Sequence, residues 1–169
     1  ATDLELLIDA AKAAGKIAMG FVGPEARRWD KPDGAGPVTE ADLAVNDLLH
    51  DTLRTARPDY GWLSEETEDS KDRLSRERVF IVDPIDGTRS FAEGSSTWAH
   101  AIAVAEKGIV TAGVIYLPMR DLMYVAATGQ GATVNGKPLE PSRTIELNNA
   151  DVLANRPSMM AANWRDETV

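Results

Sequence analysis

The hexapeptide Asp83-Pro84-Ile85-Asp86-Gly87-Thr88 is the part of the chain best equipped for chemistry. Two carboxylates three residues apart across a tight turn can converge on one divalent cation, and the Ile85 carbonyl between them can join as another oxygen ligand. Hard oxygen donors of this kind suit magnesium or manganese. Backbone amides at and after Gly87 can point at an anion such as phosphate, and the Thr88 hydroxyl can orient a water. Two neighbouring chemistries are excluded. An aspartate-nucleophile phosphatase needs one residue between its aspartates, and here there are two, Pro84 and Ile85. A calcium-binding EF-hand needs alternating oxygens and a terminal bidentate Glu, which the residues after Asp83 do not supply. An isolated Asp-Gly would read as a plain turn, but the whole hexapeptide behind an apolar run does not.

A second acidic group, Ser64-Glu65-Glu66, ends another short apolar run. Three or four crowded carboxylates repel unless a cation neutralises them, which is the physical case for a metal here. On its own, Glu65-Glu66 would be a solvated pair. A third segment, Gly36-Pro37-Val38-Thr39-Glu40-Ala41-Asp42, places Asp42 in the first turn of a helix capped by Thr39, where Asp42 can serve the cap, the site or both. Lys31 reads as a surface lysine, His50 as a solvated histidine and His100 as a packed one. Trp29, Trp62 and Trp98 read as residues packed in or beside the core.

Positioning these groups falls to a simple series of elements. Thr2 and Glu5 have capping-box spacing, and Leu4, Ile8, Ala11, Gly15, Ala18 and Phe21 recur at helical period, so residues 3–22 should form an amphipathic helix ended by Gly23-Pro24. A polar stretch from Asp30 to Pro37 follows. A second helix should run from the Thr39 cap to Arg57, closed by Pro58. Trp62-Leu63 is a short strand, residues 67–78 a polar mobile loop, and Val79–Val82 a strand buried on both faces that Pro84 should stop. From Trp98 to Val134 the chain reads as a meander with strands at 99–105, 109–116, 122–127 and 132–134. Asn135-Gly136 is a hairpin signal, and 152–154 a further strand. Two helices followed by strands predict an α+β protein, with the helices packed on one face of a largely antiparallel sheet.

Composition narrows the partners. The 169 residues carry 18 Lys plus Arg against 27 Asp plus Glu, a net charge of -9, which disfavours a nucleic-acid polymer or an anionic membrane. With no cysteine, thiolate metal sites and disulfides are excluded. No apolar run approaches the roughly 20 residues of a membrane span, and no signal peptide is visible before the acidic start Ala1-Thr2-Asp3. The missing initiator Met predicts a trimmed terminus, and cytoplasmic localisation is the expectation.

The three acidic segments together resemble the signature of the inositol monophosphatase superfamily, the lithium-sensitive, magnesium-dependent phosphatases. The hexapeptide matches its most specific motif, Glu65-Glu66 its glutamate pair, and Thr39 with Asp42 the motif opening its second helix. The resemblance runs from residue 3 to about 155. It implies a layered α/β sandwich and two or three Mg2+ per site, with Mn2+ as a substitute. Glu65, Asp83 and the Ile85 carbonyl would hold one ion, Asp83 and Asp86 would share another, and Asp42 would hold a further metal or its waters. Thr88 and Glu65 would position the metal-activated water, while the Gly87 and Thr88 amides would receive phosphate. The expected substrate is a small phosphorylated metabolite, an inositol monophosphate or a 3'(2'),5'-bisphosphonucleotide; Trp62–Glu66 and Arg89-Ser90-Phe91 lean towards the latter, as in bacterial bisphosphate nucleotidases. A homodimer is also implied. Family members carry a further aspartate in a Trp-Asp-x-x-Ala-Gly motif, which Trp164-Arg165-Asp166 does not reproduce. The expectation is therefore a metal-binding domain over 1–155, the start of a truncated C-terminal region over 156–169, and a fold lacking its C-terminal half. A catalytically incompetent fragment that binds metal or phosphate, or dimerises, is the alternative.

Overall fold

Thr2 caps the first helix, α1 (Asp3–Ala18), in a reciprocal box: its hydroxyl accepts from the Glu5 amide at 3.2 Å, and the Glu5 carboxylate accepts from the Thr2 amide at 2.8 Å. The computed structural model describes residues 1–22, 27–31 and 36–152. Helix α1 ends earlier than its apolar period suggests. The amides of Gly20 and Phe21 turn back to the carbonyls of Ile17 and Ala18, three residues away, at 3.0 and 2.9 Å, so the last turn tightens and the helix stops. Gly23-Pro24, the expected stop, lies outside the described residues.

Two short strands follow, β1 (Arg28–Asp30) and β2 (Pro37–Thr39), paired antiparallel with Trp29 opposite Val38. The Gly/Pro-rich composition conceals this ribbon, since three-residue strands leave no period to read. Helix α2 (Glu40–Ala56) starts at the expected Thr39 cap and stops before Pro58. It buries Ala41, Val45, Leu49 and Leu53. At its C-terminus, Arg57 and Tyr60 both donate to Asp3, at 3.0 and 2.9 Å, joining the end of α2 to the start of α1.

The main sheet is β3 (Gly61–Ser64), β4 (Arg78–Asp86), β5 (Ala99–Glu106), β6 (Ile109–Leu117), β7 (Leu122–Ala127), β8 (Gly131–Val134) and β9 (Lys137–Leu139), in that spatial order. Strands β3 and β4 pair in parallel and all the others antiparallel, so the expected α+β layering with a largely antiparallel sheet holds. The strand β9 completes the Asn135-Gly136 hairpin. Both helices lie on one face, α1 against β5, β6 and β7, and α2 against β4. Between them sit Leu7, Ala11, Leu49, Phe80, Val82, Ile102 and Val114. Between β3 and β4, a short 3₁₀ turn (Lys71–Ser75), capped by Ser70, interrupts the polar loop.

Two expectations for β4 are corrected. The strand is buried on one face only: Phe80 and Val82 are inside, whereas Ile81 is 38% exposed. A continuous apolar run cannot by itself reveal which neighbours cover each face. Nor does Pro84 stop the ladder. Asp83 pairs with Ala101 and Asp86 with Ala99, so β4 spends three steps where β5 spends two. The proline, which has no N–H to donate, sits inside this bulge. Trp29 is also not a core residue; it is 44% exposed, while Trp98 is buried at 2%.

The chain divides into Ala1–Leu139 and Glu140–Val169. In the second unit the described residues contain one 3₁₀ turn, Leu147–Asn149. The predicted strand at 152–154 falls on residues 153 and 154, outside those described. Among the described residues no helix is long and apolar enough to cross a membrane.

Gly15 shows how closely α1 lies on the sheet. A Cβ there would stand 2.7 Å from the Tyr116 ring and 3.2 Å from Pro118. Gly15→Ala should therefore destabilise the protein by roughly 1–3 kcal/mol of overpacking, outweighing the gain of about 1 kcal/mol in helix propensity. Thermal unfolding of the variant should show a melting temperature lower by several degrees.

Candidate active site

Parallel pairing brings two strand ends to the same edge. Ser64 of β3 lies opposite Val82 of β4, and the Glu65 amide donates to the Val82 carbonyl at 3.2 Å. Glu65 thus leaves β3 beside Asp83. Helix α2 secures this exit: Asn46, 6% exposed, accepts from the Ser64 hydroxyl at 2.7 Å and from the Thr67 hydroxyl at 3.3 Å.

Asp83 is the electrostatic centre. Burial, then the carboxylate charges of Glu65 and Asp86, push its carboxyl up to about 7. Its Oδ1 is buried with no hydrogen-bond partner. A buried carboxylate oxygen without a donor is costly unless a cation or proton meets it. The neighbouring oxygens of Glu65, Asp86 and the Ile85 carbonyl form a hard-donor set of the kind that magnesium or manganese takes. The residues therefore fit an oxygen-liganded divalent cation. Among the described residues no three His, Asp or Glu side chains are by themselves grouped to hold a metal ion, so the fit rests on the orphaned Asp83 oxygen and on the kind of donors beside it.

Asp42 is almost fully buried and has both oxygens engaged. One accepts from the Thr39 amide at 2.8 Å and the Thr39 hydroxyl at 2.5 Å; the other accepts from the Thr88 hydroxyl at 3.1 Å. Burial raises its carboxyl, and these three bonds partly offset the rise. The Thr88 hydroxyl also lies 3.1 Å from the Ile85 carbonyl. Its single hydrogen is directed to these acceptors, leaving its lone pairs open to an outside donor. Asp42 in this geometry faces protein donors and Thr88.

Gly87 makes the turn between β4 and the short helix α3 (Thr88–Ala92). Its φ is 89°, and a Cβ there would stand 3.2 Å from the Thr97 carbonyl, so the position needs glycine for both reasons. The bulge before it is fixed by His100, fully buried on β5, whose Nδ1 bonds the Pro84 carbonyl at 2.5 Å. Burial lowers the imidazole to about 4, so the ring is neutral near pH 7. With Nδ1–H donating to Pro84, Nε2 carries the lone pair and has no partner.

Lys31 is not a free surface lysine. Its side chain is 15% exposed, and its ammonium donates to Glu65 at 2.9 Å and to Glu66 at 2.6 Å. Burial alone would lower its pKa, but Glu66 and Glu65 reverse the direction and raise it. Burial in turn raises Glu66, partly offset by Lys31. The predicted residues Asp42, Glu65, Asp83, Ile85, Asp86, Gly87 and Thr88 thus come from three parts of the chain to one edge. Sequence reasoning undervalued Lys31 and overlooked Asn46 and the role of His100. A polar Asn between Val45 and Leu49 on an apolar helix face was the available signal. His50 lies half exposed with its ring edge against Trp62, 5.0 Å between centroids, as a solvated residue would.

Helices on one face of a mostly antiparallel sheet, with an oxygen-donor cluster where its parallel strands end, define an α+β protein with an acidic site at a sheet edge. The chain matches the model of the Inositol monophosphatase family over residues 2–169 and belongs to that family. A histidinol-phosphatase of Chlorobaculum parvum is 33% identical over 89% of this chain and 58% of its own. An inositol-1-monophosphatase of Mesorhizobium japonicum is 35% identical over 85% of this chain and 54% of its own. The crystal structure of the extragenic suppressor protein suhB from Bartonella henselae superposes with a TM-score of 0.75 at 32% identity, covering 85% of this chain and 56% of that one. The chain thus spans little more than half the length of the relatives it matches.

The raised Asp83 carboxyl has a measurable consequence. Folded, it keeps its proton up to about pH 7; unfolded, it loses it near the ordinary aspartate value of 3.8. Between those values the folded state binds more protons, so this group lowers stability as pH rises from about 4 to 7. Asp83→Asn should raise the melting temperature of the metal-free protein by about 2–4 °C at pH 8, from roughly 1 kcal/mol, and by less at pH 5. Added magnesium should stabilise the original protein more than the variant. A gap that is equal at both pH values would contradict the assignment.

Proposed function

We propose that the protein is a magnesium-dependent phosphomonoesterase acting on a small phosphorylated alcohol. The observation that carries this reading is the buried Asp83 oxygen that no donor meets, at the strand end where Glu65 also emerges, beside a Thr88 hydroxyl held by Asp42. Glu65, Asp83, the Ile85 carbonyl and Asp86 would hold the two or three Mg2+ ions, with Mn2+ able to replace them. When bound, the cations neutralise charge on the phosphoryl group and make a water more acidic.

The chain's own residues do the rest. Asp42 and the Ile85 carbonyl take the Thr88 hydrogen, so the Thr88 oxygen is left to accept from the attacking water and aim its lone pair. Glu65 offers a second acceptor for that water. Lys31 ties Glu65 to Glu66 and restrains its carboxylate. The Gly87 and Thr88 amides, at the tight turn into α3, would receive a phosphoryl oxygen. Water displaces the alcohol directly, and the P–O bond to the leaving group breaks as the bond to water forms.

The similarity to a histidinol-phosphatase and an inositol-1-monophosphatase supports an alcohol monophosphate as substrate. A 3'(2'),5'-bisphosphonucleotide belongs to the same chemistry. Cytoplasmic localisation and a homodimer are parts of the same proposal.

The test is phosphate release from myo-inositol 1-phosphate, L-histidinol phosphate and adenosine 3',5'-bisphosphate by the protein. Turnover of at least one should require magnesium and stop with a chelator. Asp83→Asn, Thr88→Ala and Asp42→Asn should each lower kcat by about a hundredfold or more while leaving the fold intact. Magnesium binding without turnover of any phosphomonoester would favour the alternative of a metal-binding but catalytically incompetent unit.

A further inference from the structure

Inside the helix–sheet layer, behind the turn of the hexapeptide, sits a side chain that the chemistry just described does not use. His100 is fully buried and shares with Ile102 and Val104 the inward face of β5. Its ring meets Trp98 edge-on at 5.4 Å between centroids and Tyr116 at 6.4 Å. Such surroundings suit an apolar residue. A neutral imidazole brings one donor and one acceptor instead, and here the acceptor, Nε2, has no partner. A buried polar atom left unpaired destabilises the fold, and Phe or Leu would avoid that cost. What the histidine supplies is its other nitrogen, since Nδ1–H donates to the Pro84 carbonyl at 2.5 Å.

That carbonyl lies where the ladder fails. Pairing between β4 and β5 breaks after Asp83–Ala101 and resumes at Asp86–Ala99, which leaves Pro84 and Ile85 without register partners. Successive carbonyls of extended backbone point to opposite sides. A Pro84 carbonyl held inward by His100 therefore turns the Ile85 carbonyl the other way, where it accepts from the Thr88 hydroxyl at 3.1 Å. Asp83 and Asp86 flank the anchored peptide and take their directions from it. We propose that His100 is a positioning residue: its bond to Pro84 fixes the bulge in the conformation that presents Asp83, the Ile85 carbonyl and Asp86 to a divalent cation, and so sets the affinity of the site for that cation. The inference rests on the cation part of the phosphomonoesterase reading above. His100 itself touches neither cation nor substrate and acts through the backbone.

Two substitutions separate this role from ordinary core packing, because they rank in opposite orders. His100→Phe keeps an aromatic ring against Trp98 and removes the donor. His100→Asn loses volume but carries an amide nitrogen at the position of Nδ1. Packing alone makes Phe the milder change in every measurement. Positioning makes Asn the milder change for cation binding and the harsher one for stability. Mn2+ binding to the full chain, followed by electron paramagnetic resonance near pH 7, should weaken by about tenfold to a hundredfold in His100→Phe, the scale of losing a group that orients metal ligands. In His100→Asn it should weaken less than about threefold, although this variant melts at the lower temperature of the two because of the cavity it leaves. Equal affinities in all three proteins, or a larger loss in His100→Asn than in His100→Phe, would overturn the assignment and leave the cation reading standing. Nitrogen-15 resonances of the unsubstituted protein give a check that no folding defect can blur: the His100 proton should sit on Nδ1, and a proton on Nε2 contradicts the proposal. Failure of the unsubstituted protein to take up Mn2+ would sink the cation reading instead. His100 is then judged by the backbone amide signals of Asp86, Gly87 and Thr88. Signals that move in His100→Phe and return in His100→Asn keep it as the residue that sets the turn, and signals that stay in place in both variants remove it.

Discussion

The parallel pairing of β3 with β4 is the constraint on which the rest of the site depends. In an antiparallel pair, a strand's exit lies beside its neighbour's entrance. Here two exits lie side by side, and Glu65 follows one as Asp83 follows the buried part of the other. Carboxylates separated by a whole loop thereby share one sheet edge. Burial, and then the repulsion of its neighbours, drives the Asp83 carboxyl to about 7. The same crowding makes the edge a place where a cation is favoured.

Holding that edge in shape takes a second set of groups, none of them acidic ligands. His100 reaches across from β5 to the Pro84 carbonyl and supports the bulge that turns Asp86 and Gly87 out of the ladder. Asn46 holds Ser64 and Thr67 on either side of Glu65 and Glu66. Both are buried in the helix–sheet layer, so the packing that stabilises the fold also sets the position of the reactive groups. The edge-to-face stacking of Phe91 on Trp98, 4.9 Å between centroids, ties α3 into that same core.

Asp42 joins local structure to the site within a single side chain. One oxygen completes the N-terminal cap of α2, and the other reaches the Thr88 hydroxyl. The two uses are compatible because a carboxylate has two oxygens and several lone pairs. A helix start is also where a buried negative charge is best tolerated, since the helix dipole and unpaired amides face it. Removing this carboxylate therefore acts on helix stability and on Thr88 together, and the two effects have to be measured separately.

Much of this was legible in the residues themselves, because it depends on local rules. Both helix starts follow from Thr2 and Thr39 with acids three residues on, and the close of α2 from Pro58. The meander follows from apolar runs between Lys107-Gly108, Gly129 and Asn135-Gly136, where the chain reaches positive φ. The carboxylates of the hexapeptide were recognisable from their spacing. What the chain order could not show is which surfaces meet. One-sided burial of β4, the bulge at Pro84 and the exposure of Trp29 all depend on neighbours far away in sequence. Lys31 looked like any surface lysine until the ribbon carried it to Glu65 and Glu66, 34 and 35 residues on. Charge and burial are properties of the assembled edge, so its electrostatics were decided by the tertiary structure.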